Sequence, residues 1–110
     1  MTVKLVLLKS GENLITDIKE GLYEEKVVCY ILEKPCTISL NGTYKVLDED
    51  DGGDRVSISL HSWPSLSLDT TIELIPDWIV TIVDPKNELK QMYESRVLGI
   101  VENENENEND

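Results

Sequence analysis

From its first residues the chain alternates along an extended strand, with Val3, Leu5 and Leu7 on one side and Lys4, Val6 and Leu8 on the other. The alternation stops at Lys9-Ser10-Gly11-Glu12-Asn13, where Gly and Asn can supply positive φ, and a second strand follows. On it Leu14, Thr16 and Ile18 share one face and Ile15, Asp17 and Lys19 the other, until Glu20-Gly21 interrupts. The first two elements therefore read as a hairpin.

Lys26–Leu32 is β-branched and aromatic, a third strand expected to be apolar on both faces, which Pro35 breaks or bends. Cys36, Ile38 and Leu40 then resume the alternation, and Asn41-Gly42 offers a tight turn after which Tyr44–Leu47 pairs back. Asp48–Asp54, D-E-D-D-G-G-D, has no apolar group to bury and reads as a solvated loop. In the next segment Val56, Ile58 and Leu60 point inward and Ser57, Ser59 and His61 outward, up to Trp63-Pro64. Two more strands are expected over Thr71–Ile75 and Trp78–Val83, with turn chemistry at Pro76-Asp77.

Past the strands the period changes. Asp84 is a candidate N-cap and Pro85 a first helical residue, while Leu89, Met92, Tyr93, Val97 and Ile100 recur at helical spacing, predicting a C-terminal helix over about 85–97. The closing repeat E-N-E-N-E-N-E-N-D cannot offset its own ordering entropy. The expected organisation is one domain over 1–101 and an acidic, disordered Glu/Asn tail over 102–110.

Composition sharpens this reading. Without a single Phe among 110 residues, the core must be built mostly from Val, Ile and Leu, which favour strands. The formal charge is -12, and five of the acids lie in the last nine residues, so the body alone carries -7. That balance opposes the cation–phosphate term on which sequence-independent nucleic-acid binding rests. Cys29 and Cys36 are too far apart for a close zinc pair and too few for a disulfide framework, and are read as reduced small hydrophobes. With neither a leader pattern nor a membrane-length apolar run, a cytoplasmic location is expected.

Catalytic chemistry finds little support. The single His61 falls on the polar side of a strand, and no nucleophile elbow, phosphate-cradling loop, dinucleotide fingerprint or zinc helix is present. The acidic loop departs from the calcium-loop pattern, because Gly52 stands at the third ligand position and no Glu closes it. The reading is therefore no enzyme, with no catalytic residue, metal site or cofactor. Trp63 and Trp78 are read as packing or interface residues before stacking platforms.

Two segments resemble the Sm-like family. K-L-V-L-L-K-S-G-E-N-L-I-T-D-I-K (Lys4–Lys19) is similar to its first motif, with the skeleton at Leu8, Lys9, Gly11, Leu14 and Ile18, and L-I-P-D-W-I-V-T-I (Leu74–Ile82) is similar to its second. The opening K-L-V-L-L-K-S-G-E, together with Glu33–Cys36 and Ile82–Lys86, looks like small uncharacterised Sm-like proteins of marine cyanobacterial phages. The resemblance implies a mainly β fold, a strongly bent five-stranded antiparallel Sm-like barrel with a C-terminal α-helix. It further implies a homo-oligomeric ring of five to seven copies, RNA as the default ligand, and a phage protein acting in the host cytoplasm.

Several positions depart from the family pattern. Thr16 stands where the first motif carries its second Gly, the base-holding D-x-x-M-N element is missing between Glu20 and Cys29, and Ile75 and Pro76 occupy the Arg and Gly positions of the second motif. Fold and ring assembly carry over; the family's RNA contacts do not. Residues left for a ligand or RNA contact are Lys9, Asn13, Asp77 and Trp78, and those for an oligomer interface are Val56, Ile58, Trp78, Ile79 and Val80. The alternative from another class is an acidic interaction or structural module that docks a basic host or phage protein without nucleic acid.

Overall fold

The computed structural model describes the backbone of residues 1–45 and 54–100, and the side chains of 1–40 and 58–100. The chain is mainly β: β1 (Val3–Leu8), β2 (Asn13–Tyr23), β3 (Lys26–Lys45), β4 (Asp54–Ser62), β5 (Thr71–Leu74), a 3-10 turn (Pro76–Trp78), β6 (Ile79–Val83) and one helix, α1 (Asn87–Arg96). All pairings are antiparallel, in the order β4-β3-β2-β1-β6, with β5 also on β3.

The sheet thus has six strands rather than the five expected, because β3 is long enough to hold two partners on one side. Its first half pairs with β5 (Tyr30↔Leu74 to Glu33↔Thr71) and its second with β4 (Cys36↔Ser62 to Lys45↔Asp54). Between them lies a bulge. Ile15 pairs with Cys36 and Asp17 with Glu33, so β3 carries one more residue than β2 across this step, with Lys34 at φ +49. Pro35 has no N–H to give a ladder and sits where none is required. The bulge's backbone is satisfied from outside the β2–β3 ladder: Lys34 N–H donates to the Thr70 carbonyl (2.6 Å) and Trp63 N–H to that of Pro35 (2.9 Å). Pro35 therefore bends the strand without ending it.

Alternation along the sheet gives a core on each face. On one side Val6, Leu8, Leu14, Ile18, Leu32 and Leu74 are buried, joined by half-buried Tyr30, Trp63, Ile72, Ile79 and Ile82. On the other side Val3, Ile15, Cys36 and Tyr93 form a second cluster. Leu89, Val97 and Leu98 bring the helix onto it. The borders β5 and β6 both reach the first cluster with side chains, yet they are not paired to each other, so the sheet is not closed into a barrel.

The helix starts later than its cap signals predict. Lys86 is the N-cap and Pro85 lies outside, because the Asp84 side chain is engaged by the Lys4 ammonium and makes no cap bond. At the other end Gly99, at φ +75, turns the chain so that Ile100 N–H returns to the Glu94 carbonyl (2.9 Å). Asn41-Gly42 does not turn: β3 continues to Lys45, with a register shift against β4 between Leu40 and Thr43. Tyr44 therefore pairs with Arg55 rather than folding back. The acidic segment 46–53 and residues 101–110 lie outside the described residues, and with them the expected solvated loop and tail.

Glu20-Gly21 does not interrupt β2 either, since the strand runs to Tyr23 and pairs it with Lys26. The connection is a two-residue turn in which Glu24 (φ +51) and Glu25 (φ +67) are both left-handed, as a primed hairpin turn requires. A side chain with a Cβ is unfavourable there by roughly 1–2 kcal/mol per residue. Replacing Glu24-Glu25 by Asn-Gly is expected to stabilise the chain by about 1–2 kcal/mol. Thermal melts should show this as a midpoint raised by about 4–8 °C per kcal/mol. No rise, or a fall, would mean the turn is not strained.

Candidate functional site: the turn corner and the strand borders

Gly11 holds the β1–β2 turn at φ +94, with Gly11 N–H on the Leu8 carbonyl (2.9 Å) and Leu8 N–H on that of Glu12 (3.0 Å). Across from it the 3-10 turn is closed by Trp78 N–H on the Ile75 carbonyl (3.2 Å). The two turns are joined by Lys9 N–H donating to the Trp78 carbonyl (2.9 Å). Residues nearly seventy positions apart in sequence thus form one exposed corner holding an ammonium, a carboxylate and an indole that is 45% exposed.

Three of the four expected ligand residues, Lys9, Asp77 and Trp78, belong to that corner. Asn13 stands at the other limb of the hairpin, exposed and paired with Leu7. A cation beside an open aromatic face can hold a planar or anionic group by stacking and charge. His61 is elsewhere: exposed on β4, opposite Thr37.

The expected interface residues divide by their environment. Val80 is 64% exposed at a bulge, where Leu8 pairs with Ile79 and Leu7 with Thr81. Ile79 packs against the Val6–Leu14 core, and Ile58 is half-buried opposite Leu40. Val56 lies on β4, and its side chain is outside the described ones. Among the described residues β6 pairs only with β1, while β4 and β5 pair only with β3, so each keeps one unpaired border.

Other features were not singled out by sequence reasoning. Leu66 and Leu68, in the segment between β4 and β5, are fully exposed. Their signal was present as L-S-L directly after Trp63-Pro64-Ser65, a stretch too polar on average to stand out. Tyr93 was expected only as one helical core position, but its hydroxyl is a junction: it accepts from Asp17 N–H (3.2 Å) and lies 2.9 and 2.8 Å from the Glu33 and Lys34 carbonyls, to one of which it can donate. Burial pushes the Tyr93 phenol up to about 12, against the Asp17 N–H bond that favours its anion. Burial also raises the Cys36 thiol.

No helix among the described residues is long and apolar enough to cross a membrane. No curated protein matches the sequence. Residues 1–97 match the model of a family of unknown function, DUF6561, a span that takes in every described strand and the helix. The chain belongs to that family, DUF6561.

Proposed function

We propose that this protein is a non-enzymatic binding module that assembles with copies of itself by strand addition, as Sm-like protomers do. The observation that carries this reading is the pair of unpaired borders at opposite ends of one bent sheet, β6 on one side and β4/β5 on the other. Borders that do not match themselves but can match each other make a head-to-tail contact, which closes into a ring when the rotation allows. Addition would satisfy the free N–H and C=O groups that a lone sheet exposes. Val80 and Ile75, 64% and 61% exposed beside that border, would lose contact with water in the process.

A ring of five to seven copies would repeat the Lys9–Trp78 corner around one face, and single-stranded RNA is the ligand for which an indole beside an ammonium is suited. The net charge of -12 favours the other occupant, a basic protein. Sedimentation velocity on the full chain should give a closed oligomer, and Val80→Lys, a charge on the pairing border, should shift it to monomers. A wild-type monomer throughout a micromolar dilution series would end the assembly reading. For the ligand, low-salt filter binding of U-rich and A-rich oligomers is the discriminating measurement. Retention lost in Trp78→Ala, by about 1–3 kcal/mol for each stacked base, supports RNA. No retention, with a basic protein captured after nuclease treatment, supports the acidic module.

A further inference from the structure

Two uncovered apolar features stand out on the surface. One is the pair Leu66 and Leu68, both fully exposed in the segment that leads into border strand β5. Isolated exposed leucines are ordinary, but two in three residues, wholly solvated and adjoining an unpaired strand, are an unused hydrophobic contact. The other is a cleft of about 520 Å³ where β1 begins and β6 ends, lined by the apolar Ile18, Leu22, Tyr30 and Ile82 and by the charged Lys4, Lys19 and Glu20.

We infer that Leu66 and Leu68 of one copy are the anchors that fill this cleft on the next copy, an inference that rests on the strand-addition reading above. Three observations select a second copy as the occupant. The first is direction: antiparallel addition of β5 to a neighbour's β6 sets the start of β5, Thr71, against the end of that β6, Val83. The residues just before Thr71 then arrive where the cleft opens, since Ile82 is one of its walls. The second is facing. Trp63, three residues before Leu66, packs on the cluster to which Ile18, Tyr30 and Ile82 also belong, so the segment that carries the leucines sets out from the face that lines the cleft. The third is charge. Asp69 follows Leu68 directly, and of the two exposed charges side by side on the lining, Lys19 and Glu20, Lys19 has no ion-pair partner among the described residues and is the one Asp69 would meet, whereas Lys4 is held by Asp84. Segment and cleft thus match in strand order and apolar character, with Lys19 as the one cation open to Asp69.

The test is the subunit dissociation constant of the full chain, by sedimentation velocity across a dilution series. Leu66→Ser and Leu68→Ser should each raise it roughly ten- to a hundredfold, the range expected for fully burying a leucine. Neither should move the melting temperature of the monomeric Val80→Lys chain, because the anchors are wholly solvated in a single copy. Asp69→Lys and Lys19→Asp should each weaken assembly, and their combination should recover part of the loss. An assembling wild type whose dissociation constant is unchanged by the double Leu66→Ser/Leu68→Ser variant overturns the anchor and leaves strand addition standing. A wild type that never assembles overturns both. A lowered melting temperature in the Val80→Lys background would place the leucines in the protomer core and also overturn the inference. Simple addition of the two charge-reversal losses would remove the Asp69–Lys19 contact from it.

Discussion

Replacing Tyr93 by Phe is expected to destabilise the chain by about 1–3 kcal/mol, although the substitution removes one oxygen and keeps the ring. That oxygen is fully buried and serves the bulge of β3 from the opposite cluster, accepting from Asp17 N–H and donating to the Glu33 or Lys34 carbonyl. Thr16, also fully buried, has its hydroxyl 3.0 Å from both the Glu33 and the Asp17 carbonyls and can donate to either, so the Glu33 carbonyl has a second donor within reach while the Asp17 N–H loses its acceptor. Tyr93→Ala adds a cavity between helix and sheet and should cost about 3–5 kcal/mol, enough to unfold a marginal domain. Urea melts of the two variants separate the hydroxyl from the ring. Equal stability of Tyr93→Phe and wild type would show that the bulge does not depend on the helix.

The same group fixes the behaviour in alkali. The Tyr93 phenol titrates at about 12 in the folded chain against an ordinary 10.0. Between those values the native state holds a proton that the unfolded chain has lost, so stability falls as pH rises. The contribution is complete below pH 10 and is lost on the way to 12, at roughly 1.4 kcal/mol per unit of separation. Cys36, raised above 9.0 by burial, acts in the same direction from a lower pH. Tyr93→Phe should therefore flatten the upper part of a stability–pH series and leave the part near 9 sloping.

The period-2 patterns placed both faces of β1 and the start of β2 correctly, because burial on alternate residues is a local property that a single strand displays. Val6 and Leu8 face one core and Val3 and Leu5 the other, as their spacing implies. What the pattern could not show was where a strand continues through a residue that usually stops one. Pro35 and Gly21 are breakers by local rule, and both lie inside strands because of partners far away: Thr70 and Trp63 satisfy the backbone around Pro35, and Cys29 stands across from Gly21. The segments of β4, β5 and β6 were each expected as strands; the count of five came from the Sm-like resemblance, and the sheet exceeds it because β3 pairs with both β4 and β5.

The candidate site was legible as residues but not as a place. Lys9 and Trp78 emerged from turn chemistry and from the Sm-like resemblance separately; their adjacency depends on the β1–β6 pairing, which no local signal announces. The apolar run at the start of β3 misled in the opposite sense. Its residues Val27 and Val28 were expected to be covered on both faces, yet they are 37% and 50% exposed, because β5 begins its pairing only at Tyr30. With Leu22 and Tyr23, 60% and 67% exposed, they make the hairpin end apolar and open in a single copy. Such an exposed apolar end is surface that the proposed assembly would cover.

Gly21→Ala is expected to destabilise the chain by about 1–3 kcal/mol, the ordinary scale of overpacking, despite the usual preference for Ala over Gly in a strand. A Cβ built at Gly21 would stand 2.4 Å from the Cys29 sulfur and 3.4 Å from the Cys29 carbonyl oxygen. The first distance is a collision that only movement of the thiol or parting of the strands relieves, and parting is resisted by the ladder on either side, Glu20↔Tyr30 and Leu22↔Val27. The register shifts directly after this pair, leaving Val28 between Cys29 and Val27 without a partner on β2. Cys29→Ala removes the sulfur, and in that background Gly21→Ala should become neutral or stabilise by up to about 1 kcal/mol, since only the backbone entropy gain remains. A double-mutant cycle on urea midpoints reads the coupling directly. If Gly21→Ala is as harmful in the Cys29→Ala background as in the wild type, the requirement for glycine lies in the backbone of β2 and the thiol is incidental.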